Sequence, residues 1–366
     1  MTKNLKVTFV INSIEINNFK GIKALQLDNL SRLTVIGGKN NCKKTTILEA
    51  LFLLLTKKDP TIFNRLLSWR GINGIPLEAE FIYAPFFHNF NLRNNIKIII
   101  NKNKKDNLNL SISVDSKYKK TFSINNFPIN NANQNNLHTI LTEAVKFQYS
   151  SGINTILESY LSINDNGFDF EIKKDLYSNK FLGTFVAARQ FNNYLEDVTK
   201  LNRLEIKGLS NNVVEVLKII VPNLNSLRGI TLGQSAMIYA GIDGKIEQVP
   251  ISSMGDGIAR LLSIILSIAN SENGIVFIDE IENGLHYSVL ENVWTSLSKA
   301  SEKFNCQIIA TTHSHEFLTY VSKSNAENLI TDFSYIRLNN RNDEIEGKNF
   351  DSELFSYAIE NDMEIR

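Results

Sequence analysis

The stretch from Leu33 to Leu55, "LTVIGGKNNCKKTTILEALFLLL", constrains this chain more than any other. An apolar run meets two glycines, a short polar turn follows, and Lys-Thr opens a second apolar run of helical length. Strand, glycine turn and helix in that order gather backbone N–H groups and the positive end of a helix at one point, which is an anion-binding geometry. Counted from Gly38, the spacing fits G-x-x-x-x-G-K-[ST], with Lys44 and Thr45 in the required places. The position before Lys44 holds Lys43 where the pattern has glycine. The bland alternative is a plain strand–turn–helix connection with a solvated lysine pair.

Periodicity organises the rest. "SIEINNFKGIKALQLDNL" alternates as half-buried strands do, with Phe19-Lys20-Gly21 as the turn. "PLEAEFIYAPF" (76–86) predicts a strand. "NNIKIIINKN", "NLNLSISVDS" and "KYKKTFSINN" predict antiparallel strands joined by Asn- and Lys-rich turns. "INNANQNN" (Ile129–Asn136) is a polar break with the composition of an exposed linker. Beyond it, "LHTILTEAVKF", "INTILESYLS", "NYLEDVTKLNRL" and "NNVVEVLKIIV" have helical spacing, interrupted by the strand-like "FLGTFVAAR". From Gly257 onward strand and helix alternate, which predicts a parallel sheet covered by helices.

A chain of 366 residues exceeds what one hydrophobic core usually organises, so a large domain with an inserted lobe is expected. A net charge of +1 supplies no bulk field toward nucleic acid or a membrane surface. Cys42 and Cys306 stand far apart with no companions at metal-ligand spacing, which fits a reducing compartment. The first apolar run is interrupted by polar residues and lacks a cleavage site, so a cytoplasmic location and no membrane partner are expected.

Three further segments support the phosphate loop. In "GIVFIDEIENGLH" four apolar residues run into Asp279-Glu280. Carboxylates ending a buried strand need a compensating partner. A Mg²⁺ ion near Thr45 supplies one: Asp279 would hold it and Glu280 would activate a water. In "ISSMGDGIARLLSII", Ser253-x-Gly255-x-Gly257 before a helix forms a second anion-binding terminus, or else a plain cap by Ser252 or Ser253. One phosphate chain does not need two such sites in one chain, whereas two facing protomers do. In "IIATTHSHEF" an apolar strand delivers His313 to its C-terminal end, where ligands bind in open α/β sheets. His315 follows two residues on, but no third ligand accompanies the pair, which argues against zinc.

In this order the segments resemble the ABC-type ATPase heads of the SMC, RecF and OLD group, and most closely the small stand-alone OLD-like AAA-family ATP-binding proteins. The resemblance covers Ile14–Leu55 and Ile251 to Arg366. It is carried by Asn18-Phe19-Lys20-Gly21, by the Walker A residues Gly38-Lys39-Asn40-Asn41-Cys42-Lys43-Lys44-Thr45, by the signature Ser253–Gly257 and by the Walker B segment Ile275–Glu280. A D-loop from Glu282-Asn283-Gly284 and a switch histidine, His313, complete it. Gln190 is the candidate Q-loop residue. The resemblance implies an α/β ATPase head: a mixed, largely parallel sheet with helices, plus an antiparallel β subdomain and a mostly helical inserted lobe. Residues 1–135 and 225–366 would form the halves of the head and 136–224 the lobe.

It further implies that ATP and Mg²⁺ are the cofactors. Gly38–Thr46, with Ser253, Gly255 and Gly257 of the opposite protomer, would bind nucleotide. Thr45 and Asp279 would bind metal, and Glu280 and His313 would be catalytic. The expected reaction is ATP plus water to ADP plus phosphate, slowed by Lys43, because a side chain in a left-handed glycine position costs on the order of 1–2 kcal/mol. The implied assembly is a homodimer sandwiching ATP, open to further oligomerisation. It would act as a switch gating a separate effector, a TOPRIM-type nuclease, as in phage-defence pairs of the PARIS type. The chain itself has no room for a nuclease domain after the ATPase core. Two other readings are a RecF-like DNA-repair ATPase, which the near-neutral charge does not favour, and a non-hydrolysing scaffold in which Lys43 marks a retired site.

Overall fold

In the computed structural model the described residues are 11–56, 59, 61–72, 79–103, 106–123, 137–164, 167–176, 183–188, 194–233, 235–327, 330–341 and 344–365. The linker reading of 129–136 and the Q-loop candidate Gln190 lie outside them.

The chain opens with the hairpin β1 (Ser13–Phe19) and β2 (Ile22–Leu27), then β3 (Leu33–Gly38) leads through the glycine turn into α1 (Lys44–Leu55). Helices α2 (Ile62–Ser68) and α3 (Ala79–Ile82) follow, then the strands β4 (Ile96–Asn103), β5 (Asp106–Ser123), β6 (Leu137–Ser151), β7 (Asn154–Asn164), β8 (Gly167–Asp175) and β9 (Gly183–Val186). Next come α4 (Tyr194–Ile206), α5 (Ser210–Leu217), the strands β10 (Leu224–Leu232), β11 (Ser235–Ile242) and β12 (Val249–Pro250), and α6 (Asp256–Asn270). The last part alternates: β13 (Ile275–Ile278), α7 (Leu290–Lys303), β14 (Gln307–Thr311), α8 (His315–Glu327), β15 (Phe333–Arg341), β16 (Glu344–Asp351) and α9 (Ser352–Glu360).

A six-stranded sheet in the order β16-β15-β3-β14-β13-β9 is parallel except at the β16 edge. Every residue of β3, β13 and β14 is buried, as expected for strands covered on both faces. Alternate side chains feed two cores. Ile36, Ile275, Phe277 and Ile309 face α1 and the antiparallel sheet, whereas Val35, Val276, Ile278 and Ile308 face α4 to α9. The antiparallel sheet runs β2-β1-β4-β5-β6-β7-β8, and β10-β11-β12 form a small third sheet.

Three local expectations are corrected. "LHTILTEAVKF" and "INTILESYLS" are not helices but belong to β6 and β7, paired antiparallel with β5 and with each other. The region 136–224 is therefore helical only in its second half. Inward-facing Ser159, 1% exposed, between buried Leu157 and Leu161 hides the period of two, as do bulges at Tyr149/Ser150 and Asp115/Tyr118. The same bulged strand, β5, joins "NLNLSISVDS" and "KYKKTFS" into one element. Conversely, the strand expected over 76–86 is, in its described part, α3 and a 3-10 turn at Ala84–Phe86. Ile82, Tyr83, Phe86 and Phe87 are buried with helical spacing, and Pro85 sits in that turn's first positions.

Candidate functional site

β3, β14 and β13 are neighbours, so the ends of all three strands meet at one edge of the sheet. That adjacency brings Gly38–Thr45, Asp279-Glu280 and Thr311–His313 together. The Thr45 and Thr311 hydroxyls both donate to Asp279 Oδ1, at 2.9 and 2.8 Å. Asp279 is 6% exposed, and burial pushes its carboxyl up, against the pull of those two hydroxyls. A carboxylate held in this way suits a cation. A hydroxyl beside one carboxylate is the sparse protein donor set that Mg²⁺ takes alongside water and phosphate oxygens. Among the described residues no cluster of three His, Cys, Asp or Glu side chains is placed to hold a metal alone. His315 begins α8 and makes no such cluster with His313.

The buried Lys44 ammonium donates to the carbonyls of Gly38 and Lys39, at 2.6 and 3.0 Å, so the loop closes on its own lysine. Burial pulls that ammonium down, while Cys42, Glu282, Asp279 and Glu280 hold it up. Lys43 is the residue preceding α1 and adopts φ 61 and ψ 27, the left-handed conformation that glycine takes without penalty. The helix gains no side-chain cap from it.

Glu280 also has a positive φ, 47. Such strain at a site needs support from the surroundings. The buried Arg260, on α6, donates to the carbonyls of Asp279 and Glu280 at 3.2 and 2.9 Å. The Glu280 amide donates to Thr311 Oγ1 at 2.9 Å. Asn283 Nδ2 donates to Glu280 Oε2 at 3.3 Å and to Ala188 O at 3.2 Å. His313 Nε2 stands 3.9 Å from Glu280 Oε1, and its backbone amide donates to Glu282 Oε1 at 2.6 Å. Burial and the Lys44 cation hold the imidazole below its usual range, against the pull of Glu280, Glu282 and Asp279.

A cavity of about 250 Å³ lies beside this cluster, between Thr45, Asp279 and Glu280 on one side and Trp69 and Arg70 on the other. Arg70 pairs with Glu49 of α1 at 2.7 Å, and Lys20 of the β1–β2 turn pairs with the same carboxylate at 2.8 Å. Arg260, Thr311, Arg70 and Glu49 are site residues that sequence reasoning missed, and Asn283 was read only as part of the D-loop. The signal available was their charge or hydroxyl inside otherwise apolar helices and strands.

Ser253, Gly255 and Gly257 do not join the cluster. Gly255, with φ 106, precedes α6, and neither Ser252 nor Ser253 caps the helix. Gly255 and Gly257 line another cavity, with Gly284, Leu285 and His286. Asn40 and Asn41 form the exposed crest of the loop, Cys42 packs inward, and Thr46 is buried in α1.

The AAA ATPase domain family matches residues 10–318, most of the chain and every element of this cluster. The chain belongs to that family. It is 25% identical over 336 residues to an ATP/GTP phosphatase of Helicobacter pylori, across 84% of this chain and 86% of that one. An uncharacterized protein of Methanocaldococcus jannaschii is 29% identical over 190 residues, 45% of this chain and 83% of its own. Solved structures with a similar course include the Pyrococcus furiosus Smc head domain bound to the C-terminal domain of ScpA, at 12% identity and TM-score 0.48, covering 96% of this chain and 99% of that one. The Thermotoga maritima SMC head domain matches at 12% identity and TM-score 0.44, over 93% and 99%. Among the described residues of this AAA ATPase family member, no helix is long and apolar enough to cross a membrane.

Proposed function

We propose that this AAA ATPase family member binds ATP with Mg²⁺ and hydrolyses it slowly, as a homodimeric switch that gates a separate effector. The observation that carries the hydrolytic part is the convergence of Thr45, Thr311 and Asp279 beside a Glu280 whose backbone and side chain are both held. A scaffold without turnover has no need of a strained, supported glutamate. Thr45 and Asp279 would hold the Mg²⁺, which supplies charge neutralisation to a phosphate chain when bound. Glu280 accepts the proton of an attacking water, and His313 offers an N–H to the terminal phosphate. Lys44 exchanges the Gly38 and Lys39 carbonyls for phosphate oxygens. The relative named as an ATP/GTP phosphatase supports hydrolysis.

The dimer reading rests on the α6 terminus, whose glycines lie apart from the chain's own phosphate loop and suit the nucleotide of a second copy. A nuclease effector and a role in anti-phage defence follow from the resemblance to OLD-like proteins.

The test is ATP binding and turnover with Mg²⁺, in wild type and Glu280→Gln. The variant should lose turnover and accumulate as an ATP-bound dimer in light scattering. A wild type that binds ATP no better than background would sink the nucleotide reading. Binding without turnover would leave the scaffold, and dimers insensitive to Glu280→Gln would remove hydrolysis from the cycle.

A further inference from the structure

After α9 the chain turns back across the phosphate loop. Glu364 Oε1 lies 2.7 Å from Lys39 Nζ, the residue that follows Gly38 in the loop. The segment is not loosely laid there. Ile365 is 1% exposed, the Met363 amide donates to Ala358 O at 2.9 Å, the Tyr335 hydroxyl donates to Ile365 O, and the Arg337 guanidinium donates to Glu364 O. Tyr335 and Arg337 belong to β15, the strand paired with β3, with Arg337 opposite Gly37 and Leu338 opposite Gly38. The Tyr335 hydroxyl fills the space in which a Cβ on Gly37 would stand. One strand therefore fixes both the start of the phosphate loop and the segment that crosses it.

The two meet around a cavity of about 660 Å³ bounded by Gly38, Lys39 and Asn40, by His313 and His315, and by Asp362–Ile365. Lys39 is engaged at both ends: its carbonyl accepts from Lys44 and from the Cys42 amide, and its ammonium is held by Glu364. A polyphosphate entering the loop must draw Lys44 off that carbonyl and competes with Glu364 for the Lys39 cation.

We infer that Asp362–Ile365 is a working part of the nucleotide site, with Glu364 a positioning residue that withholds Lys39 from an incoming polyphosphate and so sets its affinity. This rests on the nucleotide reading above. The effect is modest, because both partners are largely exposed and exposed pairs are weak and screened by salt. It acts on the phosphates rather than the nucleoside, since the residue it restrains belongs to the phosphate loop.

The experiment compares wild type, Glu364→Gln, Lys39→Gln and the double variant, titrated with ATP and with inorganic tripolyphosphate at two salt concentrations. Glu364→Gln should tighten both ligands by about two- to five-fold at low salt and by less at high salt. Lys39→Gln should weaken both, and adding Glu364→Gln to it should change nothing further. A merely structural role for Glu364 would not cancel in the Lys39→Gln background. Unchanged affinity in Glu364→Gln, or an effect that persists without Lys39, overturns the strap while leaving the nucleotide site intact. Failure of wild type and Glu364→Gln alike to bind either ligand overturns the nucleotide reading and the strap together.

Discussion

The side chain of Lys43 lies across Gly21: a Cβ on Gly21 would stand 2.5 Å from Lys43 Cε and 2.8 Å from its Nζ. The non-glycine residue of the phosphate loop thus packs its stem on the turn between β1 and β2, where Gly21 leaves room. The left-handed backbone of Lys43 is strained, and this packing partly offsets the strain.

Lys43→Gly should relieve backbone strain of about 1 kcal/mol and free the loop from the β1–β2 turn. ATP turnover should rise while affinity changes little. Gly21→Ala should move turnover in the same direction, because the far end of Lys43 is displaced. If Lys43→Gly restores binding to a protein that otherwise has none, the site had been retired; turnover unchanged in both variants would show that Lys43 is no brake.

Glu49 is 1% exposed and serves both Lys20 and Arg70. Burial pulls the Lys20 ammonium down, against the attraction of Glu49. Glu49→Gln removes the carboxylate paired with Lys20, and should destabilise the fold by about 3–5 kcal/mol in urea unfolding. A loss of only about 0.5 kcal/mol, as for an exposed pair, would mean that solvent reaches Lys20 after all.

Arg260 ties α6 to the backbone of Asp279 and Glu280. Arg260→Met removes its bonds to both carbonyls, leaving that of Glu280 with the Asn283 amide, at a cost of about 1–3 kcal/mol, and releases the positive-φ Glu280. Turnover should fall well below wild type with KM nearly constant, and Arg260→Lys should recover part of it. Loss of stability with kcat intact would make Arg260 purely structural.

Burial of Asp197 between α4 and α6 pushes its carboxyl up to about 6, against Lys200 and the Ser263 hydroxyl, from an ordinary 3.8. The folded chain thus holds this proton over a pH range where the unfolded chain has lost it. Stability from this group is full below about 3.8, falls as pH rises to about 6, and is flat above. Asp197→Asn should match wild type near the acid end and exceed it by on the order of 1–3 kcal/mol at pH 7. Parallel stability curves for the two proteins across this range would refute the assignment.

Which parts of this were legible beforehand follows from the range of the forces involved. Gly38, Lys44 and Thr45 could be read directly, because a strand, a glycine turn and a helix start are local events. The alternation of β13, α7, β14 and α8 was legible for the same reason. Leu137–Phe147 and Ile153–Ser162 were not. Their apolar residues recur with helical spacing, yet pairing with β5 and with each other makes them strands, and pairing is non-local.

By itself, then, the sequence determined the phosphate loop, the carboxylates after β13, the histidine after β14 and the left-over side chain at Lys43. Tertiary structure alone decided that Thr45 and Thr311 share one oxygen of Asp279, that Arg260 braces Glu280, and that Glu364 reaches Lys39. Each of those contacts joins residues from different elements. They exist because the strand order sets β3 between β14 and β15 and β14 beside β13, and because α6 packs on β13, none of which a local pattern specifies.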